Sequence, residues 1–339
     1  MAGAGLLKSS LYDQLQKAAL KEGFIEAGGV DLESAWPAYS EHVQKYDEWI
    51  ARGNAGEMHY LARGRDRRAN PRLVFPETQA VFTVLLPYRK LPVGHLDPSQ
   101  GIRYARYLDG DDYHDRLAVK LEQVLRAVSA ENPTFEMKWK VCVDTSAVLE
   151  RTWAALSGLG WIGKNTLLIH PKHGSYTFIG VALLNTPLHQ KVQLLPDYCG
   201  HCSRCITSCP TQAIESPRSV NSRKCIAYWT LEKRGDLALE ISEKKRLGNW
   251  VAGCDLCQEA CPFNLKPTRE EEQKNTTEKI TEVGAVRVSD WNSILSETDD
   301  DYRKRVKNSA LSRVKPEMFR RNVKIAHENS GSIGTGTRQ

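Results

Sequence analysis

Four stretches of the chain carry apolar residues at helical spacing. Residues 6–26 place leucines and alanines on one face, and residues 39–62 form a second helical stretch that is interrupted by a glycine turn at 53–56. A further stretch covers 113–130, and helical spacing returns over 291–329. Because residues three or four positions apart share a helix face, each stretch predicts an amphipathic helix packed on a core.

Continuous apolar runs predict buried strands between these helices. Residues 80–86 form one run that ends at Pro87, and residues 139–143 form another. Two later runs, 166–170 and 176–184, are separated by a short turn, and this spacing predicts that they pair as a hairpin. Strands mixed with helices favour an α+β fold for the first part of the chain.

Eight of the nine cysteines form one array. The first run has the pattern C-x2-C-x2-C-x3-C-P, which bacterial ferredoxins use to bind a [4Fe–4S] cluster. The second run lacks its leading cysteine, because Val251 stands in that position. Cys225 is the obvious substitute. The array therefore predicts an electron-transfer protein with two clusters.

The spacing also predicts how the cysteines divide. In two-cluster ferredoxins the fourth cysteine of each run binds the other cluster. Two zinc sites or a disulfide framework are the alternatives, and the repeated spacing, the chain length and the absence of a secretory signal disfavour them. Cys142 lies apart in an apolar stretch, where a cysteine is usually a small buried hydrophobe. The division assigns Cys199, Cys202, Cys205 and Cys261 to cluster one and Cys209, Cys225, Cys254 and Cys257 to cluster two.

Length and composition indicate a multidomain protein without a membrane segment. The chain has 339 residues, 41% of them apolar, and no apolar run approaches the length of a membrane span. The N-terminus has neither a signal-peptide pattern nor a twin-arginine pair, so we expect a cytoplasmic protein. The predicted divisions are a catalytic domain over 1–190, a two-cluster domain over 191–268, a linker and helical region over 269–329, and a flexible tail over 330–339.

The net charge of +6 is unevenly distributed. Arginines crowd residues 63–72, and lysines and arginines crowd residues 302–324, where Glu317 is the only acid. Such surfaces suit a polyanion such as RNA. Charge alone fits a solvated helix face equally well, so both interpretations stay open.

A glycine motif at residues 158–163 matches the dinucleotide fingerprint G-x-G-x-x-G. That fingerprint requires a strand before it and a helix after it. The predicted order here is the reverse, which disfavours nucleotide binding. The glycines still allow close approach of the backbone to a ligand, and Lys164 and Asn165 add polar groups suited to a large polar ligand.

Asp144 follows a predicted strand and precedes the helix predicted from residue 149. Aspartate is a preferred N-cap residue, so a structural role is one interpretation. The other is a general acid in a pocket, with a pKa that burial raises until the group can donate a proton near neutral pH. Both roles are compatible with a carboxylate, which has two oxygens.

Several motifs in a fixed order resemble those of the epoxyqueuosine reductase family. They are Gly56-Glu-Met58, Gly110-Asp-Asp-Tyr-His114, Val143-Asp-Thr145 with Leu149-Glu-Arg151, Gly158 to Asn165, the cysteine array, and Ser309-Ala-Leu311 with Arg321-Asn322. The resemblance spans roughly residues 6–329. It implies a nitroreductase-like cobalamin-binding domain, a ferredoxin-like domain with two [4Fe–4S] clusters, and a short helical, HEAT-like C-terminal part.

The resemblance also implies a reaction and a set of site residues. The expected activity is reduction of epoxyqueuosine to queuosine at the tRNA wobble position, the last step of queuosine synthesis, with Asp144 as proton donor. The expected partners are the anticodon loop of tRNA and an electron donor, and a monomer is expected. Ala147 stands where the family often has proline, and the C-terminal part is short. The expected cobalamin contacts are Arg68, Ala105, Asp144, Lys164, Asn165, Leu168 and Ser175.

Two alternative functions are weighed against this one. A cobalamin-dependent reductive dehalogenase resembles the same arrangement, but such enzymes usually carry a twin-arginine signal and use a tyrosine as the acid. A ferredoxin-like electron carrier without its own catalysis explains the cysteines. It does not explain the long segment ahead of them.

Overall fold

The computed structural model describes residues 9–88, 102–265 and 291–331. The start of the linker predicted from residue 269, and nearly all of the tail predicted over 330–339, lie outside these residues. No helix in the described segments has the length and apolar character needed to span a bilayer. The elements in chain order are α1 (Leu11–Lys21), β1 (Glu26–Asp31), α2 (Leu32–Ala51), α3 (His59–Arg63), α4 (Arg65–Ala69), β2 (Ala80–Pro87), β3 (Arg103–Tyr104), α5 (Tyr113–Glu131), β4 (Trp139–Cys142), α6 (Glu150–Leu156), β5 (Trp161–Ile162), β6 (Leu168–Ile169), β7 (Thr177–Leu184), α7 (Arg204–Thr207), β8 (Ile214–Ser216), β9 (Ser219–Val220), α8 (Ile226–Leu231), α9 (Ile241–Leu247), β10 (Trp250–Ala252), α10 (Leu256–Glu259), α11 (Trp291–Ser296), α12 (Asp299–Val306) and α13 (Pro316–Gly331).

The first part of the chain is built on an antiparallel sheet with the strand order β1-β2-β7-β4. Alternate residues of its strands point to opposite faces, as the pleat requires. Phe82 and Ala182 join the core formed with α1 and α5, whereas Val81 and Val181 join the core formed with α2 and α6. The sheet is thus covered on both faces, and the predicted mixture of helices and strands is confirmed.

The first helix and first strand differ from their predictions. The helix predicted over 6–26 ends at Lys21, because Gly23 adopts a left-handed backbone with φ +95°. The strand β1 that follows was not predicted, since its two adjacent glycines are poor strand formers. Gly28 is required there, because a Cβ atom would lie 2.4 Å from the carbonyl oxygen of Ser157.

The predicted hairpin between residues 166–170 and 176–184 is wrong. Strand β6 pairs with β5, whereas β7 pairs with β2 and β4 in the central sheet. Only His170 and Gly174 form a bridge across the intervening turn. The apolar run at 176–184 is buried on both faces, so it belongs in the sheet interior rather than in a two-stranded ribbon.

A second core joins the cysteine region to residues 102–108 of the first domain and to the C-terminal helices. Strand β3 pairs in parallel with β10, and helix α13 packs over this pair through Phe319 and Val323. The Asn322 side chain is fully buried and donates hydrogen bonds to the carbonyl oxygens of Thr230 (2.9 Å) and Val251 (2.8 Å). These bonds fix α13 to the cysteine region. The hydrophobic Val251 that replaces the missing cysteine lies in this core, with 0% exposure.

Candidate active site

Asp144 leaves the end of β4 in a strained conformation. Its φ of +53° lies in the left-handed region, which costs a residue with a Cβ atom roughly 1 kcal/mol or more. Helix α6 begins later, and Leu149 is its N-cap residue. The interpretation of Asp144 as a helix cap is therefore wrong. Strain of this kind is often retained where it directs a functional side chain.

The Asp144 side chain is directed to a histidine at the start of α5. The distance from His114 Nε2 to Asp144 Oδ2 is 3.0 Å. The other ring nitrogen, Nδ1, lies 2.5 Å from Asp112 Oδ1. Asp112 also accepts a 3.0 Å hydrogen bond from the main-chain N–H of His114, so it caps the helix and holds the ring together.

These contacts decide the charge of Asp144. The hydrogen bond from His114 lowers the pKa of Asp144 and outweighs the opposing effect of burial. The expectation that burial raises this pKa is therefore wrong. For His114, burial opposes the charge, but the hydrogen bonds to Asp144 and Asp112 raise the net pKa above its ordinary value. The carboxylate and the imidazolium thus stabilise each other.

The Asp144 carboxylate faces solvent near Tyr60, Tyr107 and Tyr113, and the surface around these four residues is called the cleft. The Asp144 side chain is 65% exposed, yet its charge acts on several surrounding groups. Burial raises the pKa of Tyr60 to about 12, with smaller contributions from Glu232 and Asp144. Burial followed by Asp144 also raises the pKa values of Tyr107 and Tyr113. Since Glu232 follows α8 of the cysteine region, the cleft lies between the two parts of the chain.

A second carboxyl group lies buried beside Asp144. Burial raises the pKa of Glu150 to about 8, and the charge of Asp144 adds to this effect, whereas Arg68 opposes it. No hydrogen-bond partner for Glu150 Oε1 occurs among the described residues. Arg68, one of the expected cobalamin contacts, is itself only 9% exposed. The site thus holds one buried carboxyl oxygen that has no hydrogen-bond partner in the part of the chain that the structure describes.

The cysteine thiols form two electrostatic groups. Burial raises the pKa of Cys261, and the further contributions come from Cys199, Cys205 and Cys202. Burial also raises the pKa of Cys254, with further contributions that include Cys225 and Cys209.

The assignment of these two groups to two clusters stays a prediction, and one further cysteine shows how near the groups are. The pKa of Cys257 is raised first by burial, then by Cys254 and Cys225, and to a smaller extent by Cys205 of the other group. The groups are therefore adjacent. No three His, Cys, Asp or Glu side chains of the described segments are arranged around a single metal ion. An iron–sulfur cube instead binds its thiolates through several irons.

Two N–H groups are directed at cysteine sulfurs. The Trp161 indole donates to Cys199 Sγ at 3.3 Å, and the main-chain N–H of Ala213 donates to Cys209 Sγ at 3.3 Å. Such hydrogen bonds stabilise thiolate charge and raise the reduction potential of a cluster. Each group thus contains one sulfur that accepts a hydrogen bond from an N–H group.

Three of the polar residues expected to contact cobalamin form hydrogen bonds with the cysteine region. Lys164 Nζ donates to the carbonyl oxygens of Gly200 (2.6 Å) and Cys202 (2.9 Å). Asn165 donates a longer bond to the Cys257 carbonyl oxygen at 3.4 Å. The Ser175 hydroxyl donates to Gln258 at 2.9 Å. These side chains therefore attach the first domain to the loops that carry the cysteines.

The two apolar residues of that set lie in packed interiors. Ala105 is 1% exposed, and its N–H donates to the Ala252 carbonyl oxygen at 2.8 Å. A Cβ atom on Gly253 would lie 2.5 Å from the Ala105 Cβ atom, so the contact requires glycine. Leu168 is 3% exposed and packs against a cluster that includes Leu159. The structure thus places Asp144 and Arg68 near Glu150, and it places Leu168 in the interior of the first domain. The other four residues lie at contacts with the cysteine region.

Many charges of the two basic segments are paired. Arg65 bonds to Asp47 at 2.8 Å, and Arg305 forms two bonds of 2.7 Å to Glu297. Asp299 pairs with both Arg303 and Arg320. Acids just before residue 302 thus offset much of the charge that the isolated segment suggested.

Sequence reasoning named His114 within a motif but gave it no role. It did not single out Tyr60 or Glu232 at all. The usable signal was the pattern Asp112-Tyr-His114 at the start of a predicted helix. A capping aspartate two residues before a histidine can hold that ring as well as the helix end.

Two family models match the chain. The model described as "4Fe-4S double cluster binding domain" matches residues 198–264, and the one described as "Epoxyqueuosine reductase QueG, DUF1730" matches residues 68–145. A relative from Prochlorococcus marinus (strain NATL2A), named epoxyqueuosine reductase, is 36% identical over 315 residues. That alignment covers 92% of this chain and 96% of the relative.

Solved structures share the fold. A structure of epoxyqueuosine reductase from Streptococcus thermophilus has a TM-score of 0.76 at 22% identity, over 93% of this chain and 80% of that one. A crystal structure of epoxyqueuosine reductase with an epoxyqueuosine-modified tRNA-Tyr stem loop has a TM-score of 0.74 at 23% identity. It covers 94% of this chain and 81% of the other.

Proposed function

Because this chain belongs to the epoxyqueuosine reductase family, we propose that it reduces epoxyqueuosine to queuosine at the wobble position of tRNA. Family membership makes it an oxidoreductase with an iron–sulfur domain. One observation carries the proposal furthest: an exposed acid held by His114 lies near Tyr60 and Glu232, and Glu232 belongs to the region that carries the two groups of cysteine thiols. An electron carrier alone has no use for that acid.

The reaction needs both an electron supply and a proton supply. Conversion of an epoxide to an alkene consumes two electrons and two protons and releases the oxygen as water. We propose that the eight cysteines hold two [4Fe–4S] clusters in the division given above, and that electrons pass through them to the cleft. Asp144 gives a proton to the departing oxygen, which stabilises the charge that develops as the carbon–oxygen bond breaks.

Cobalamin is the cofactor proposed for the cleft. When bound, its cobalt supplies the low-valent centre that delivers electrons to the epoxide carbon. Two observations support the fit: the Asp144 side chain is 65% exposed although charged and aromatic groups surround it, and Glu150 Oε1 lacks a partner within the described segments. The residues proposed to hold cobalamin are Arg68, Ala105, Asp144, Lys164, Asn165, Leu168 and Ser175.

The proposed domain organisation divides residues 1–329 into three parts. Residues 1–190 form a nitroreductase-like cobalamin domain, residues 191–268 a ferredoxin-like domain, and residues 269–329 a linker with a short HEAT-like helical part. The packing of α13 on β10 supports a close attachment of the helical part to the cluster domain.

The proposed substrate surface is the rim of the cleft. Single-stranded loops of RNA are usually read by splaying a base out and stacking it on aromatic side chains. Tyr60 is 45% exposed on this rim and Tyr107 lies near Asp144, so both are suited to contact a splayed wobble base. We propose that one anticodon loop binds one monomer and that a separate electron donor supplies the electrons.

Turnover of modified tRNA tests the proposal directly. The protein is reconstituted without oxygen with iron, sulfide and cobalamin, then mixed with epoxyqueuosine-containing tRNA and a chemical reductant. Nucleoside mass analysis should show queuosine that depends on both cobalamin and protein. Retention of clusters without any queuosine formation would contradict the proposed activity.

A further inference from the structure

His114 has a carboxylate on each of its ring nitrogens. Asp144 Oδ2 lies 3.0 Å from Nε2, and Asp112 Oδ1 lies 2.5 Å from Nδ1. A neutral imidazole has only one N–H, so it can donate to only one of these acids. Both contacts become favourable hydrogen bonds when the ring carries two protons and a positive charge.

The surroundings of His114 favour that charged form. Burial disfavours the charge, but the hydrogen bonds to Asp144 and Asp112 raise the pKa of the ring overall. Arg313 is the cation facing the ring, and it lowers the pKa to a smaller extent. Tyr113 stacks on the ring with centroids 3.9 Å apart and contributes a hydrogen bond that lowers the pKa of Asp144. The proton therefore resides on His114 and the negative charge on Asp144.

Asp112 is itself firmly anchored. Its main-chain N–H donates to the Asn308 carbonyl oxygen at 2.7 Å, and Arg313 lies 3.6 Å from its second carboxylate oxygen. Both partners belong to the segment that precedes α13. The helical C-terminal part thus fixes the acid that orients His114.

We propose that His114 is the proton store of the site and delivers its Nε2 proton to Asp144 during the reaction. This inference rests on the proposed function. In the step, the Nε2 proton of His114 passes to the Asp144 carboxylate and from there to the epoxide oxygen, where an O–H bond forms as a carbon–oxygen bond breaks. A second proton from solvent completes the water that leaves, and Asp144 ends as a carboxylate. The N–H bond of His114 breaks as an O–H bond forms on Asp144, so the imidazolium becomes neutral imidazole. Solvent then returns the proton to the ring, and the electrons come from the reductant through the clusters.

The strained backbone of Asp144 is an independent observation for this role. A left-handed aspartate with φ +53° is retained although the helix that follows does not use it as a cap. This conformation places the Asp144 side chain within hydrogen-bond distance of His114. His114 acts through Asp144 and is therefore a positioning and proton-supplying residue rather than one that contacts the substrate.

The test combines a spectroscopic readout with a rate profile. Wild type, His114→Gln, Asp112→Asn and the control His42→Gln are reconstituted with clusters and cobalamin. Histidine-selective NMR titration locates the His114 signal by its loss in His114→Gln. We expect this signal to titrate above the ordinary histidine pKa, and to move down by about one pH unit in Asp112→Asn.

Single-turnover conversion is then measured across pH. We expect His114→Gln to lose about 10²-fold in rate near pH 7.5 and to regain much of it at acid pH, where Asp144 is protonated by solvent. A merely structural role would give a loss that is uniform across pH. His42→Gln, which alters a histidine on α2 rather than the one that contacts Asp144, should keep the wild-type profile.

Two results would overturn the inference. One is a His114 signal that titrates at or below the ordinary histidine value, and the other is a His114→Gln profile identical to that of wild type. Failure of the proposed function is distinguishable, because in that case wild type itself converts no epoxyqueuosine at any pH.

Discussion

The main-chain N–H of Arg106 donates a 2.7 Å hydrogen bond to the side chain of Asp255. Asp255 lies between Cys254 and Cys257 in the chain and is 1% exposed. The Arg106 guanidinium adds a 3.2 Å ion pair with Glu259. Buried ion pairs are sensitive to geometry, so this contact fixes the cysteine loops relative to the cleft.

The role of Asp144 is tested by Asp144→Asn. Asparagine tolerates the left-handed backbone and keeps the shape of the side chain, but it cannot transfer a proton. We expect normal iron and cobalamin content with a turnover reduced roughly 10²- to 10⁴-fold. Turnover is measured on modified tRNA at saturating reductant. Full activity in this variant would remove Asp144 from the proton-donor role.

The ligand division is tested by Cys225→Ser. Cys225 supplies the position that Val251 leaves vacant in the second run, so its loss should damage cluster two and spare cluster one. We expect iron to fall from about eight to about four atoms per chain. Cys142→Ala is the matched control, because Cys142 is fully buried in the core of the first domain and should not change the iron content. Iron near eight per chain in Cys225→Ser would show that the division is wrong.

The buried carboxyl group of Glu150 predicts a pH-dependent stability. Its pKa is raised by burial to about 8, so the folded state binds this proton more tightly than the unfolded state does. The free energy of unfolding therefore falls as pH rises from the unfolded value through about 8. Glu150→Gln removes this penalty.

Glu150→Gln should have a higher free energy of unfolding than wild type, and we expect this difference to increase by roughly 2 kcal/mol between pH 6 and pH 8. Anaerobic urea unfolding at the two pH values measures it. Glu136→Gln serves as the control, since that side chain is 81% exposed and keeps its hydration in both states. An equal gain at both pH values would contradict the buried, protonated state of Glu150.

The contact of Lys164 with the first cysteine loop predicts a change in cluster retention. Lys164→Met keeps the aliphatic stem and removes both hydrogen bonds to the loop carbonyls, which together stabilise the loop by roughly 1–3 kcal/mol. We expect faster loss of iron to a chelator, read from the visible absorbance. Lys172→Met, an exposed lysine on the turn after β6, should lose iron at the wild-type rate. An unchanged rate in Lys164→Met would mean that the loop does not depend on this contact.

The spacing of the cysteines predicted the parts of the site that are local in sequence. Cysteine separations set the two thiol groups because a short loop has few ways to direct several sulfurs inward. The run that became β7 was recognised as a buried strand, but its partners were not, because pairing in a sheet depends on segments far away in the chain. Strand β1 was not predicted because it contains Gly28. Glycine is needed there because of a contact with Ser157, which is distant in the sequence.

The charge state of Asp144 was beyond prediction for a similar reason. The direction of the pKa shift of Asp144 depends on His114, which lies thirty positions earlier in the chain. Burial alone raises a carboxyl pKa, and a donated hydrogen bond from an imidazolium lowers it. Only the fold decides which effect is larger. Lys164 likewise donates to a loop thirty-six positions later, a contact that its neighbours in sequence do not indicate.

The packing of α13 on β10 has a consequence for the order in which the protein is made. Cys261 leaves the ribosome well before Pro316, and at roughly 5–20 residues per second the intervening stretch takes several seconds to synthesise. During that interval Val251 and its neighbours lack the helix that later buries them. All eight cysteines of the array have thus been translated while this core is still open, before the helix that covers it has been made.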